Sequence, residues 1–168
     1  MSFTVYQVTI PPLVRMLNNL AVILNKAAAH CEAQGIDPQA LLRFRLFPDM
    51  FHFTKQVQVA CDHAKNAAAR LAGVEGPAFG NDEQSFADLV QRVRKTIAWL
   101  ESLRPEQFEG AQQRDVVIRR GESVVTYRGD DYLLNRALPN FYFHVTTAYD
   151  ILRHNGVPLG KRDYLGTA

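Results

Sequence analysis

The chain has 168 residues, 47% hydrophobic and 21% charged, the ordinary proportions of one globular domain large enough to bury a core without staples. Nineteen basic and 17 acidic residues leave a formal charge of +2, too even a balance for the clustered Lys and Arg that nucleic-acid binding requires. Its densest basic cluster, Arg114, Arg119 and Arg120, has Asp115 and Glu122 beside it and reads as a solvated hairpin edge.

From Thr9 to Gln34, apolar residues recur at Leu13, Leu17, Leu20, Leu24, Ala27 and Cys31, in alternating steps of four and three that predict a long helix. Thr9 is a capping residue by type, Pro11 and Pro12 then fall near the first turn, and Gly35 stops the helix. A short helical turn fits Pro38–Leu42. A second helix is expected from about Asp49 to Leu71, with Phe53, Val57, Ala60, Ala64, Ala67 and Leu71 as its apolar stripe. Gly73, Gly76, Pro77 and Gly80 mark a loop, after which a third helix starts at Asn81 or Asp82 and ends before Pro105. Its stripe is Phe86, Leu89, Val93, Ile97 and Leu100.

Two β-branched runs around Gly121-Glu122 predict a hairpin over about 114–129. A fourth helix follows from about Tyr132 to His154, with Pro139 resetting it near Leu138, and the tail 156–168 reads as extended. The sum is an all-α four-helix bundle, one domain over 1–168, with a small β-hairpin inserted before the last helix.

The N-terminus lacks a basic stretch followed by an apolar run, and no segment approaches the ~18 uncharged apolar residues of a membrane span. Cys31 and Cys61 each lie in apolar helical stretches and read as buried thiols of a reducing compartment, so the expected location is the cytoplasm.

Phosphate loops, dinucleotide fingerprints, Cys-x-x-Cys pairs and nucleophile elbows are all absent. What remains is histidines and a polar stripe. On the second helix Asp49, His52, Gln56, His63, Asn66 and Arg70 follow helical spacing beside the apolar stripe. They form either a solvated face or, if that border faces the interior, one wall of a pocket. On the fourth helix His144 shares a side with Ala137, Phe141, Val145, Ala148 and Leu152, so its ring nitrogens need partners. It is either a satisfied core histidine or a ligand or proton carrier, and Asn140 stands one turn earlier. Lys26 borders the apolar stripe of the first helix; it reaches water or, turned inward, pairs with a carboxylate such as Asp49.

The segments LFPDMFHFTKQVQVACDHAKNAAARLAG and PNFYFHVTTAYDILRHNGVPLGKRDYLG resemble the two signature blocks of a bacterial family catalogued as domain of unknown function number 1993. Lys26, Asp49, Met50, Gln56, Arg70, Asn140, His144, Tyr149, Arg153 and Asp163 are among the matching positions. That family is similar to the DinB/YfiT-like superfamily. The resemblance implies a four-helix bundle, a homodimer and, in many members, a metal held by three histidines. One of those lies on the second helix and two form a His-x-x-x-His pair on the fourth. Here His144 matches one of the pair, Ala148 replaces its partner, and His52 lies in the region of the third.

The candidate metal set is therefore His52 and His144 with Asp49 and Asn140, for a divalent ion such as zinc, nickel or manganese. Candidate pocket residues are Lys26, Gln56, His63 and Tyr149. Two functions are open: a metal-dependent enzyme with a degenerate ligand set, or a non-catalytic small-molecule-binding or dimeric interaction module without metal. Neither involves nucleic acid or a membrane.

Overall fold

The first helix, α1 (Val5–Gln34), begins five residues before the sequence reading placed it, because Thr4 and not Thr9 is its cap. The Thr4 hydroxyl accepts the Gln7 N–H at 3.2 Å and Gln7 Oε1 accepts the Thr4 N–H at 3.0 Å, a complete capping box. Pro11 and Pro12 consequently sit inside the helix, and Thr9 is buried. The computed structural model describes residues 3–166. Among these, α1 is the one helix long and apolar enough to cross a membrane, which the sequence reading did not anticipate because Arg15 and Lys26 interrupt it. Half of its most apolar stretch is buried inside the protein, as expected of a core helix.

The short α2 (Pro38–Leu42) leads to α3 (Phe53–Ala72), which starts at a His52 cap and ends at Gly73. Next comes α4 (Phe86–Glu101), capped by Ser85 rather than by Asn81 or Asp82. The intervening loop is stapled down by one arginine of α4. Arg92 Nη1 donates to Glu83 Oε1 at 2.9 Å and to the Gly80 carbonyl at 2.5 Å, and Arg92 Nη2 donates to Asp62 Oδ1 at 2.9 Å.

After two turns of 3-10 helix, β1 (Asp115–Arg120) and β2 (Ser123–Arg128) pair antiparallel in the register Asp115↔Arg128 to Arg120↔Ser123. Gly121 opens the two-residue connection with a φ of 56°. Val116 and Ile118 point into the core and anchor the ribbon on the bundle, since two strands alone have no independent stability.

The chain then enters α5 (Gly129–Tyr132), a π-helical turn (Leu133–Ala137) and α6 (Leu138–His154). The widened turn lies just ahead of Pro139, whose ring excludes an ordinary helical bond there. α1 packs on α4, α4 on α3 and α3 on α6, and α1 also meets α3 and α6, which closes the bundle. Leu13, Leu17, Leu24, Phe53, Leu71, Leu89, Leu100 and Phe141 are completely enclosed between them.

The tail is not extended throughout: α7 (Lys161–Leu165) docks on α1. Lys26 Nζ meets Asp163 Oδ1 at 2.5 Å, and the Tyr164 and Leu165 carbonyls accept bonds from Asn19 and Arg15. Five residues have little helical propensity of their own, so these tertiary bonds hold α7 in place.

Candidate functional site

Gln56 and His144 meet at the α3–α6 contact. Gln56 Nε2 donates to the Phe51 carbonyl at 3.1 Å, which leaves Gln56 Oε1 as the acceptor toward His144. The His144 Nδ1–H therefore donates to Gln56 Oε1, at 2.6 Å. Burial lowers the His144 pKa, so at neutral pH the ring is uncharged and Nε2 keeps its lone pair. The imidazole lies nearly parallel to Phe51 (6.4 Å between centroids) and to His63 (5.4 Å), with Phe143 edge-on at 5.2 Å.

This arrangement decides what substitution does. His144→Ala leaves Gln56 Oε1 without its donor in a nearly sealed position, which is expected to cost about 1–3 kcal/mol in chemical denaturation beyond the lost ring packing. Because folding lowers the His144 pKa, the unfolded chain binds more protons on acidification. Native stability is then complete above the unfolded value near 6.5 and declines as pH falls from there toward the lower folded pKa. Burial lowers His52 in the same sense, aided by Arg45, Lys55 and Arg43 against a raising bond at the Leu42 backbone. The variant should thus show a shallower, not flat, pH dependence over that range.

His63 carries the stack to the wall of a cavity of about 170 Å³ between α3, the π-turn and β1. Asn66 and Arg70 of α3, Arg119 of β1, Tyr132 of α5 and Arg136 of the π-turn complete its polar lining. Arg70 Nη1 donates to the Tyr132 hydroxyl at 2.8 Å, and Arg136 Nη1 donates to the Tyr127 hydroxyl at 3.3 Å. Each guanidinium also lies over the ring of its tyrosine, at 5.6 and 5.5 Å.

The candidate metal set does not assemble. His52 is the N-cap of α3, its Nδ1 accepting the Lys55 N–H at 3.4 Å, and its ring lines another cavity beside Arg43 and Gln58. Asn140 turns back to donate to the Arg136 carbonyl at 2.6 Å, and Asp49 is exposed in the turn before α3. Among the described residues no group of three or more His, Cys, Asp or Glu side chains is placed to hold a metal ion. A three-histidine centre therefore does not fit the residues present.

The remaining pocket candidates divide. Gln56 and His63 flank His144, whereas Tyr149 packs edge-on against Tyr164 at 5.8 Å and Lys26 pairs with Asp163 instead of Asp49. Both belong to the α7 seam. Cysteine chemistry is remote: Cys31 and Cys61 are buried and unpaired, and burial pushes the Cys61 thiol up to about 12. Sequence reasoning missed Arg119, Tyr132 and Arg136. Pro139 marks an irregular turn beside Arg136, but no local signal assigns any of the three to a cavity.

Comparison with solved structures finds a DinB family member protein from Shewanella denitrificans. It is 39% identical over 97% of this chain and 92% of that one, with a TM-score of 0.92. A comparison with curated proteins finds no match. The family model described as "Domain of unknown function (DUF1993)" matches residues 5–165. The chain thus belongs to that family and is built as a DinB-like bundle.

Proposed function

We propose that this protein binds a small molecule in the cavity between α3, the π-turn and β1, with His144 and Gln56 as the rigid support behind the His63 wall. The observation that carries the reading is convergence: side chains from four separate elements line one cavity, and two of its arginines are held in place by tyrosine hydroxyls. Concave sites with a few oriented polar groups on rigid elements are where small ligands bind. The metal-dependent reading lacks comparable support, because the groups it needs point to different surroundings.

A thermal-shift screen of chemically diverse metabolites, run on the native chain and on Asn66→Phe, tests the proposal. The phenylalanine side chain would occupy the cavity. Compounds that raise the melting midpoint of the native chain and not of the variant are the expected result. Hits unaffected by Asn66→Phe, or an empty screen, would count against it. In parallel, tag-free protein incubated with zinc, nickel or manganese should carry far less than one metal per chain; stoichiometric metal lost in His144→Ala would restore the metal reading.

A further inference from the structure

Arg70, Arg119 and Arg136 approach one cavity from a helix, a strand and a π-turn, and among the described residues no acidic side chain lines it. Among the described residues, none of the three makes an ion pair. Arg70 and Arg136 each have an ordinary structural explanation that the geometry weakens. Arg70 is in the last turn of α3, where a cation suits the helix dipole. Yet the Leu71 carbonyl at that end already accepts from Arg114 Nη1, while Arg70 turns to Tyr132. Arg136 lies near Asp130 and Asp131 in sequence, but Asp131 accepts from Asn135 at 2.7 Å and Asp130 faces Arg128 at 3.7 Å.

The charge is concentrated as well as unpaired. Three arginines line a space of about 170 Å³, on a chain whose total formal charge is only +2. A cleft lined by one sign of charge focuses the field and raises the local concentration of the opposite ion. Guanidinium offers five N–H donors in a planar fork that matches carboxylate and phosphate oxygens. Tyr127 and Tyr132 each occupy one of these donors and so fix the direction of the others. A comparable cavity of about 150 Å³ in another protein accommodates benzene, so the space here takes a group of roughly six non-hydrogen atoms.

We infer that the Arg70–Arg119–Arg136 cavity is a binding site for a small anion, the carboxylate or phosphate group of an organic metabolite. This rests on the reading of the cavity as a ligand site and names the chemistry of what enters it. Arg70 and Arg136 hold the anion from the tyrosine-braced side, and Arg119, an exposed position of β1 at the cavity rim, adds positive charge at its mouth. The hairpin thereby has a binding role beyond covering the bundle end.

Isothermal titration of inorganic phosphate and of malonate into the full chain at low ionic strength tests the inference. The native chain should bind at least one of the two saturably at one site. Arg119→Gln, which changes an exposed strand position and leaves the fold intact, should weaken binding about tenfold or more, and Arg136→Met likewise. Lys95→Gln removes the same charge from an exposed position on α4 and should bind as the native chain does. Phosphate alone, malonate alone or both binding with that variant pattern supports the site and identifies the headgroup. Saturable binding that Arg119→Gln and Arg136→Met leave unchanged, or that Lys95→Gln weakens equally, overturns it. Silence from both probes also overturns it. If neutral compounds still bind and Asn66→Phe abolishes them, the cavity remains a ligand site and only its anion preference falls.

Discussion

Arg92→Ala should be among the most damaging single substitutions in this protein, with an expected loss of about 3–5 kcal/mol. Arg92 is nearly completely enclosed yet charged, and it holds two carboxylates and a backbone carbonyl at once. Removing it leaves Glu83 partly buried with Gln58, at 2.7 Å, as its remaining side-chain partner among the described residues, and leaves Asp62 with Lys65, at 3.4 Å. It also detaches the loop between α3 and α4, whose Phe79 ring lies under both Lys65 and Arg92. For a domain of this size the thermal midpoint should fall by on the order of 10 °C.

The acid limb of the stability curve supplies a second reading of the same variant. Burial by itself would raise the Glu83 carboxyl, but the Arg92 and Gln58 bonds outweigh it and hold the group below its ordinary value of 4.5. Its contribution is therefore present above that value and lost as pH falls through the depressed folded pKa. Arg92→Ala should flatten this limb. Arg92→Met combined with Glu83→Gln should recover part of the loss, because Glu83 is then uncharged and Asp62 keeps Lys65 as its partner.

Gly129→Ala has a comparable expected effect by a different mechanism. Gly129 begins α5, where a Cβ would fall within the van der Waals radius of the Ala111 carbonyl oxygen and press on Leu71. The obstacle is backbone, so a rotamer change cannot relieve it. Displacement of the 3-10 turn that carries Ala111, or of α5 itself, should cost about 2–4 kcal/mol in urea denaturation. Tyr132 and Arg136 follow Gly129 directly, so a surviving folded fraction should also bind cavity ligands more weakly than the native chain. An unchanged unfolding midpoint would mean that the hairpin-to-helix junction is much softer than its geometry implies.

The bundle was legible because its signals are periodic. Stripes at three- and four-residue steps marked α3, α4 and α6, and the turn at Gly121-Glu122 marked the hairpin. Where local chemistry competed with the pattern, boundaries moved. Pro11-Pro12 drew the start of α1 inward, although Thr4-x-x-Gln7 carried the true cap. Residues 161–165 carry too little local signal for a helix, and bonds to α1 create one.

At the site, helical spacing places Gln56 and His63 on one face of α3 and His144 on one side of α6, and the meeting of those two faces belongs to the fold. The direction of each ring does not follow from spacing either: His52 spends its side chain as a cap, and Gln56 serves His144. The arginine cavity was invisible for a deeper reason. Arg70, Arg119 and Arg136 share no local pattern, and a π-turn sets the orientation of the last of them.

The seam between α7 and α1 has a kinetic consequence. The Lys26–Asp163 pair joins positions 137 residues apart, and Arg15 reaches the Leu165 carbonyl across 150. Closing so long a span costs entropy that is repaid only once the bundle has formed, so α7 is expected to dock after the bundle and to release before it. Its detachment uncovers the flank of α1 while the rest of the bundle stands. The expected weak point of the molecule is thus a five-residue clasp, and its brief opening, rather than global unfolding, should give solvent and proteases an early route to the flank of α1.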